Sequence, residues 1–223
     1  MKLAILALCS FTGNITKPWV EAGYHAILVD PQHIIDSQTD NTTKLACTVG
    51  EFITKHIGSI DAEYDVRFIA SFPPCTDLAV SGARWFKRKR EANPNFQEEA
   101  MGVVNECSII AMHFRCPFFI ENPVSVISSQ WRKPDYTFHP YEYTKHRKED
   151  NYTKKTCLWT GAGFRMPAKA QDTSLPTPDN RIHMAPPGDE RANFRSATPQ
   201  GFAEAVFQAN KDKQERQLSF ENL

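Results

Sequence analysis

The chain has no long apolar run. Its longest, residues 3–9 and 116–120, fall well short of the roughly 20 residues that a membrane-spanning helix requires, so no transmembrane helix and no membrane partner are expected. It has no excess of charge either: 26 Lys+Arg against 26 Asp+Glu exclude a globally basic nucleic-acid coat protein. Its six cysteines, Cys9, Cys47, Cys75, Cys107, Cys116 and Cys157, include no CxxC pair, which argues against a disulfide framework and a zinc site; no metal is expected. The apolar start after Lys2 runs into Cys9-Ser10-Phe11-Thr12-Gly13-Asn14 without a small-residue cleavage site, so a secretory leader is not expected and the cytoplasm is the expected compartment. Glycine is sparse where a dinucleotide fingerprint would place two or three, since the first turn holds Gly13 alone.

What is present describes a folded protein. With 41% hydrophobic and 23% charged residues, and 15 prolines, 223 residues suit one substantial domain with much loop. The neutral total hides an asymmetry: residues 80–169 carry 15 basic and 9 acidic side chains, a net +6, and both flanks are net negative.

The periodicity predicts strands at residues 2–8, 26–29, 66–71 and 117–120, with shorter ones at 136–139 and 157–159. Between them, Thr16-Lys17-Pro18 opens a helix that stops at Gly23, residues 50–57 have a short helical pattern, and apolar positions from Phe96 to Phe114 recur at helical spacing. Residues 170–198 are rich in proline and polar side chains and are expected to be an extended loop. Thr198-Pro199 begins a closing helix over 199–216, with a tail that frays. Strands alternating with helices predict an α/β fold: an open, mostly parallel sheet with helices on both faces. It would form a single domain over 1–223, with 124–198 as a loop-rich basic and aromatic region.

In such sheets ligands bind at the carboxyl ends of the strands, and the unusual residues gather there. Ser10, Phe11, Thr12 and Gly13 follow the first strand. Asp30 ends the second, where an acid can accept hydrogen bonds from both hydroxyls of a ribose. Phe72-Pro73-Pro74-Cys75-Thr76-Asp77 follows the strand at 66–71; consecutive prolines stiffen that backbone and present the Cys75 thiol in a fixed direction as a candidate nucleophile. Glu121-Asn122-Pro123 closes another apolar strand, where partial burial would raise the carboxyl pKa and help it hold a proton near neutrality. A thiolate and a protonatable carboxyl on neighbouring strand ends are the pair needed to attack C6 of a pyrimidine while its N3 is protonated.

The strings Pro73-Pro74-Cys75-Thr76-Asp77-Leu78-Ala79, Ser81-Gly82, Arg84-Trp85, Glu121-Asn122-Pro123 and Thr153-Lys154-Lys155-Thr156-Cys157-Leu158-Trp159 resemble the cytosine-C5 methyltransferase family. The likeness is greatest to compact phage-encoded members of it and spans most of residues 3–209. It implies a Rossmann-like fold of the kind that binds S-adenosylmethionine, and a place in the host cytoplasm. It also implies roles: Cys75 adds to C6 of cytosine, Glu121 protonates N3, Asn122 holds its loop, Ser10 to Gly13 with Asp30 and Pro73 bind the cofactor, and Arg84, Trp85, Lys154 and Lys155 contact substrate.

Beside the proposed nucleophile, Arg84-Trp85-Phe86-Lys87-Arg88-Lys89-Arg90 mixes aromatics with five positive charges, and residues 130–169 carry 9 basic and 4 acidic side chains among aromatics. These patches suit a phosphate backbone whose base is extruded for reaction; the plain alternatives are a solvated face and a lid packed on the sheet. Duplex or single-stranded DNA is the expected partner. A free cytosine nucleotide would explain why no recognition domain fits in this length. A non-catalytic protein that occupies DNA or a host factor is the alternative from a different class.

Overall fold

Residues 4–8 are wholly buried because strand β1 (Lys2–Leu8) lies at the centre of the sheet, covered on both faces. The computed structural model describes residues 1–184 and 195–211. After β1 the chain makes a 3-10 turn (Asn14–Thr16) and helix α1 (Lys17–Glu21), with Pro18 in its first turn. Gly23, at φ 90°, turns it into β2 (His25–Val29). Thr16 stands at the N-cap of α1 without a side-chain capping bond; its hydroxyl donates to the Gly13 carbonyl at 2.8 Å and tightens the turn instead.

A hairpin follows that the apolar pattern does not show: β3 (Ser37–Gln38) pairs antiparallel with β4 (Thr42–Leu45), and β4 pairs parallel with β2. Helix α2 (Val49–Lys55) begins with a reciprocal capping box between Thr48 and Glu51. The chain bends at His56, and α3 (Ile57–Glu63) leads into β5 (Tyr64–Ser71). A 3-10 segment (Val80–Trp85) and α4 (Phe86–Ala92) hold the basic run, and the long α5 (Phe96–Phe114) returns to β6 (Phe118–Pro123). Then come α6 (Ile127–Gln130), β7 (Tyr136–Phe138), β8 (Thr156–Gly161), α7 (Arg181–Met184) and α8 (Gln200–Asn210). The part of the expected closing helix beyond residue 211, and the fraying tail, lie outside the described residues.

The eight strands form one sheet in the order β3-β4-β2-β1-β5-β6-β8-β7. The run β4-β2-β1-β5-β6 is parallel, and β8 enters antiparallel between β6 and β7. The fold class is therefore α/β with a mostly parallel mixed sheet. In the loop-rich region, β7 and β8 form where short strands are expected at 136–139 and 157–159 and complete the sheet, and its aromatics build the core: Trp159 and Tyr143 are fully buried. They offer no platform to a base. Trp131 and Tyr136 are exposed, and Arg132, next to Trp131, bonds the Thr160 carbonyl toward the far end of β8 from Thr156.

Two apolar layers hold the sheet. On one face Phe52 of α2, Ile60 of α3, and Met101, Val104, Cys107 and Ile110 of α5 pack on Leu6, Ile69 and Ile120. On the other, Trp19 of α1 and Phe202, Val206 and Phe207 of α8 pack on Ile5, Phe68 and Phe119. Helices thus lie on both faces, as expected. Among the described residues no helix is long and apolar enough to cross a membrane.

Candidate functional site

From β1 the chain steps outward to β2 and β4 on one side, then crosses back through α2 and α3 to β5 on the other side of β1. The carboxyl edge between β1 and β5 is the switch point of the sheet, where open α/β folds form their ligand crevice. The turn after β1 and the Pro73-Pro74-Cys75 loop after β5 are therefore neighbours across this crevice.

Ser71 pairs with Ile120 at the last rung between β5 and β6, so the Cys75 loop and Glu121 leave adjacent strands at the same height. Three contacts fix them together. The buried Asn122 amide donates to the Pro73 carbonyl at 2.9 Å, the Val80 N–H donates to the Val124 carbonyl at 3.0 Å, and the Val126 N–H to the Leu78 carbonyl at 2.9 Å. Side-chain alternation along β6 divides the work: Glu121 shares the Phe119 face, toward α8, and Asn122 shares the Ile120 face, toward α5.

Cys75 is the exposed one of the six cysteines; Cys9 is half-buried and the other four are buried. Burial pushes Cys47 up to about 11 and Cys116 up to about 12, so these are inert core thiols. The Cys75 thiol also lies above its ordinary value, first through desolvation by the crowded loop and then through the Glu121 charge; Lys154 and Arg195 oppose this. The residue nevertheless remains open to solvent.

Glu121 and Lys154 are each 13% exposed, and Lys154 Nζ stands 3.9 Å from Glu121 Oε1, a charge contact too long for a hydrogen bond. Oε1 is buried without any hydrogen-bond partner. Burial pushes the Glu121 carboxyl above the ordinary carboxylate range, and the Lys154 charge pulls it part of the way back. A carboxyl raised by burial, with Oε1 free of hydrogen bonds, is equipped to donate a proton to a ring nitrogen. It faces a small crevice lined by Phe72, Phe138, Lys154, Ser196, Pro199 and Phe202 among others. Phe138 stacks on Phe202, with ring centroids 3.8 Å apart, to make the apolar wall.

Across the switch point, Gly13 adopts φ 64°, and a Cβ there would meet Leu28 Cδ1 at 2.8 Å. Phe11 and Thr12 are exposed and Ser10 is buried. Asp30 is buried at the end of β2; its Oδ1 accepts from the Gln32 N–H at 2.8 Å. His33, 5.6 Å from Phe11 between ring centroids, has a buried Nε2 without a partner, and burial holds its pKa below the ordinary value. An acid for ribose hydroxyls, an exposed ring and an orphaned imidazole nitrogen form a donor and acceptor set that fits a nucleoside.

The remaining expected residues divide. Lys154 turns inward to Glu121 and Lys155 is exposed. Arg84 lies over the Trp85 ring at 5.1 Å on the exposed turn beyond the Cys75 loop. Lys89 folds back to bond the Thr76 carbonyl at 2.9 Å and Asp77 at 2.6 Å, bracing the Cys75 loop. The sequence pattern did not single out His33, the Phe138–Phe202 wall, or the segment that carries Arg195 and Ser196; the one signal was that Arg195 sits just before the Thr198-Pro199 helix start. Among the described residues, no group of three or more His, Cys, Asp and Glu side chains could hold a metal ion. No protein-family model matches the chain, and no curated protein matches it.

Proposed function

We propose that this protein is a cytosine-C5 methyltransferase acting on DNA with S-adenosylmethionine. The observation that carries the reading is the pairing of an exposed thiol and a buried carboxyl, its Oε1 without a hydrogen bond, on adjacent strand ends, held together by the Asn122 to Pro73 bond. The strand order supports it too: the parallel strands β4-β2-β1-β5-β6 follow the 3-2-1-4-5 order of nucleotide-binding α/β sheets, and the nucleoside-like set and the thiol flank their switch point.

In this reading Cys75 Sγ bonds to C6 of cytosine while the Glu121 proton goes to N3, which leaves C5 electron-rich. The cofactor, when bound, supplies the methyl group to C5. Transfer of the C5 proton to a solvent base and cleavage of the Sγ–C6 bond then release Cys75 as thiolate, and N3 returns its proton to Glu121. Asp30 would hold the ribose, Phe11 and His33 would flank the base of the nucleoside, and the Gly13 turn would let the backbone approach it. Lys154 limits how far the Glu121 carboxyl rises, so that the proton can be given up.

The basic run beyond the Cys75 loop favours a polynucleotide over a free nucleotide. Purified protein would be incubated with isotopically labelled S-adenosylmethionine and duplex DNA, single-stranded DNA or dCMP, with label followed to the base. Transfer to DNA that Cys75→Ser and Glu121→Gln abolish is expected. Cofactor binding without label in any substrate would overturn the reading in favour of a protein that occupies DNA without modifying it.

A further inference from the structure

The crevice that Glu121 faces has a volume of about 10 Å³, room for a single water, whereas a cavity that takes a benzene-sized ring is on the order of 150 Å³. A base can meet the carboxyl only if a wall moves. Most of the walls are fixed. Phe138 and Phe202 are 2% and 1% exposed and stacked on each other, and Phe72 packs edge-on against the buried Phe119. Lys154 is drawn to Glu121 itself. The start of α8 is pinned as well: the Gly201 N–H donates to the buried Asp150 Oδ2 at 2.7 Å, and a Cβ at Gly201 would meet the Tyr143 carbonyl oxygen at 2.7 Å.

The wall left to move is the segment 196–198, which lines the crevice through Ser196 and Thr198. Ser196 is exposed and Thr198 half-buried, so this wall has solvent behind it. It is tied across the switch point to the residue after Gly13. The Asn14 side-chain amide donates to the Thr198 carbonyl at 3.4 Å, and the Gln200 amide donates to the Asn14 carbonyl at 3.3 Å. Both bonds are long and only partly buried, hence weak.

We propose that residues 196–198 form a gate over the base crevice, hinged at Pro199 and latched by Asn14. The proposal rests on the reading that a base reaches Glu121. Pro199 is buried, and its carbonyl accepts from the Ala203 N–H at 3.0 Å in the first turn of α8, so the chain can swing before it and not after it. The latch belongs to the turn assigned to the cofactor, and the gate opens for a base by letting go of that turn. A closed gate lowers the apparent affinity for a base by the fraction of molecules that stand open.

The test reads the gate directly and needs no methyl transfer. Glu121 is labelled with a water-soluble carbodiimide and glycine ethyl ester, and the rate is followed by peptide mass spectrometry in the wild type, Asn14→Ala and Gln200→Ala. Asp150, buried on the fixed side of the hinge, is the internal control. Loss of one weak hydrogen bond multiplies the open fraction, so Glu121 should label about two- to tenfold faster in each variant, with Asp150 unchanged. Equal Glu121 rates in all three proteins overturn the proposal. So does a rise at Glu121 that Asp150 matches, which marks a loosening of the whole region. At saturating cofactor, covalent capture of single-stranded 5-fluorocytosine DNA should also quicken in both variants; the loss of a mere brace would slow it. Faster Glu121 labelling in a protein that methylates nothing would keep the gate and sink the reaction; methyl transfer with unaltered labelling would do the reverse.

Discussion

The Asn122 side-chain amide donates a 2.9 Å hydrogen bond to the carbonyl of Pro73, so the strand end that bears Glu121 holds the loop that bears Cys75. Asn122 is 1% exposed, and its own carbonyl oxygen has no partner, which leaves the amide donor as its visible contribution. Asn122→Ala strands a carbonyl of the buried Pro73 and should cost about 1–3 kcal/mol of stability. Because thiol and carboxyl must meet the same ring, covalent capture of 5-fluorocytosine DNA should slow by about tenfold or more. Capture at the wild-type rate in a protein that melts at a lower temperature would mean that the bond serves the fold alone.

Glu121 gives the site a pH signature. Its folded-state pKa is raised, first by burial, so between the ordinary carboxylate value and the raised one the folded protein binds more protons than the unfolded chain. The stabilisation is complete below the unfolded value and declines as pH rises through the folded one. Denaturant titrations from pH 4 to pH 8 should show Glu121→Gln gaining stability on the wild type as pH increases. Lys154→Met should extend that decline to higher pH, since it removes the charge that favours the carboxylate. A wild-type and Glu121→Gln difference that stays flat with pH would place the carboxyl in ordinary solvent.

Gly13 combines a left-handed backbone with a wall of Leu28, itself 4% exposed. Gly13→Ala costs about 1–2 kcal/mol for the conformation, and the new Cβ must also push Leu28 aside. The turn cannot widen freely, because the Thr16 hydroxyl and the Thr16 N–H both bond the Gly13 carbonyl. S-adenosylmethionine affinity by calorimetry is expected to fall more than melting temperature alone accounts for. Unchanged affinity would remove this turn from the cofactor site.

The parts of this fold that were legible in the sequence are those where burial on both sides left unbroken apolar runs: β1, β2, β5 and β6, and the α5 face built from Val104, Cys107, Ile110 and Ala111. The β3–β4 hairpin was not, because Ser37, Gln38 and Lys44 are exposed and only Thr43 and Leu45 of β4 are buried. Thr43 tolerates burial through a 2.8 Å bond to His25, a partner that no local pattern announces. The thiol and carboxyl were legible because proline and strand-end positions mark them. His33 was not, since it matters through Phe11, a residue far away in the chain.

The basic run separates a DNA substrate from a nucleotide one. Of its five cations, Lys89 is bound to Asp77, Arg90 bonds Gln97 at 3.4 Å and Arg84 lies over Trp85. Lys87 and Arg88 are exposed and form no ion pair among the described residues, which leaves them available to phosphate. Because α4 stands directly against the Cys75 loop through Lys89, a backbone gripped there would bring its base to the crevice. Lys87→Ala with Arg88→Ala should lower the slope of log affinity against log salt by about 2 for duplex DNA, roughly 0.9 for each phosphate left without its cation. Transfer to dCMP, where it occurs at all, should be unaffected, since these two side chains brace nothing in the site. Fluorescence anisotropy over a salt series measures the slope, and an unaltered slope would make the run a solvated face and turn the search for the substrate back to the free nucleotide.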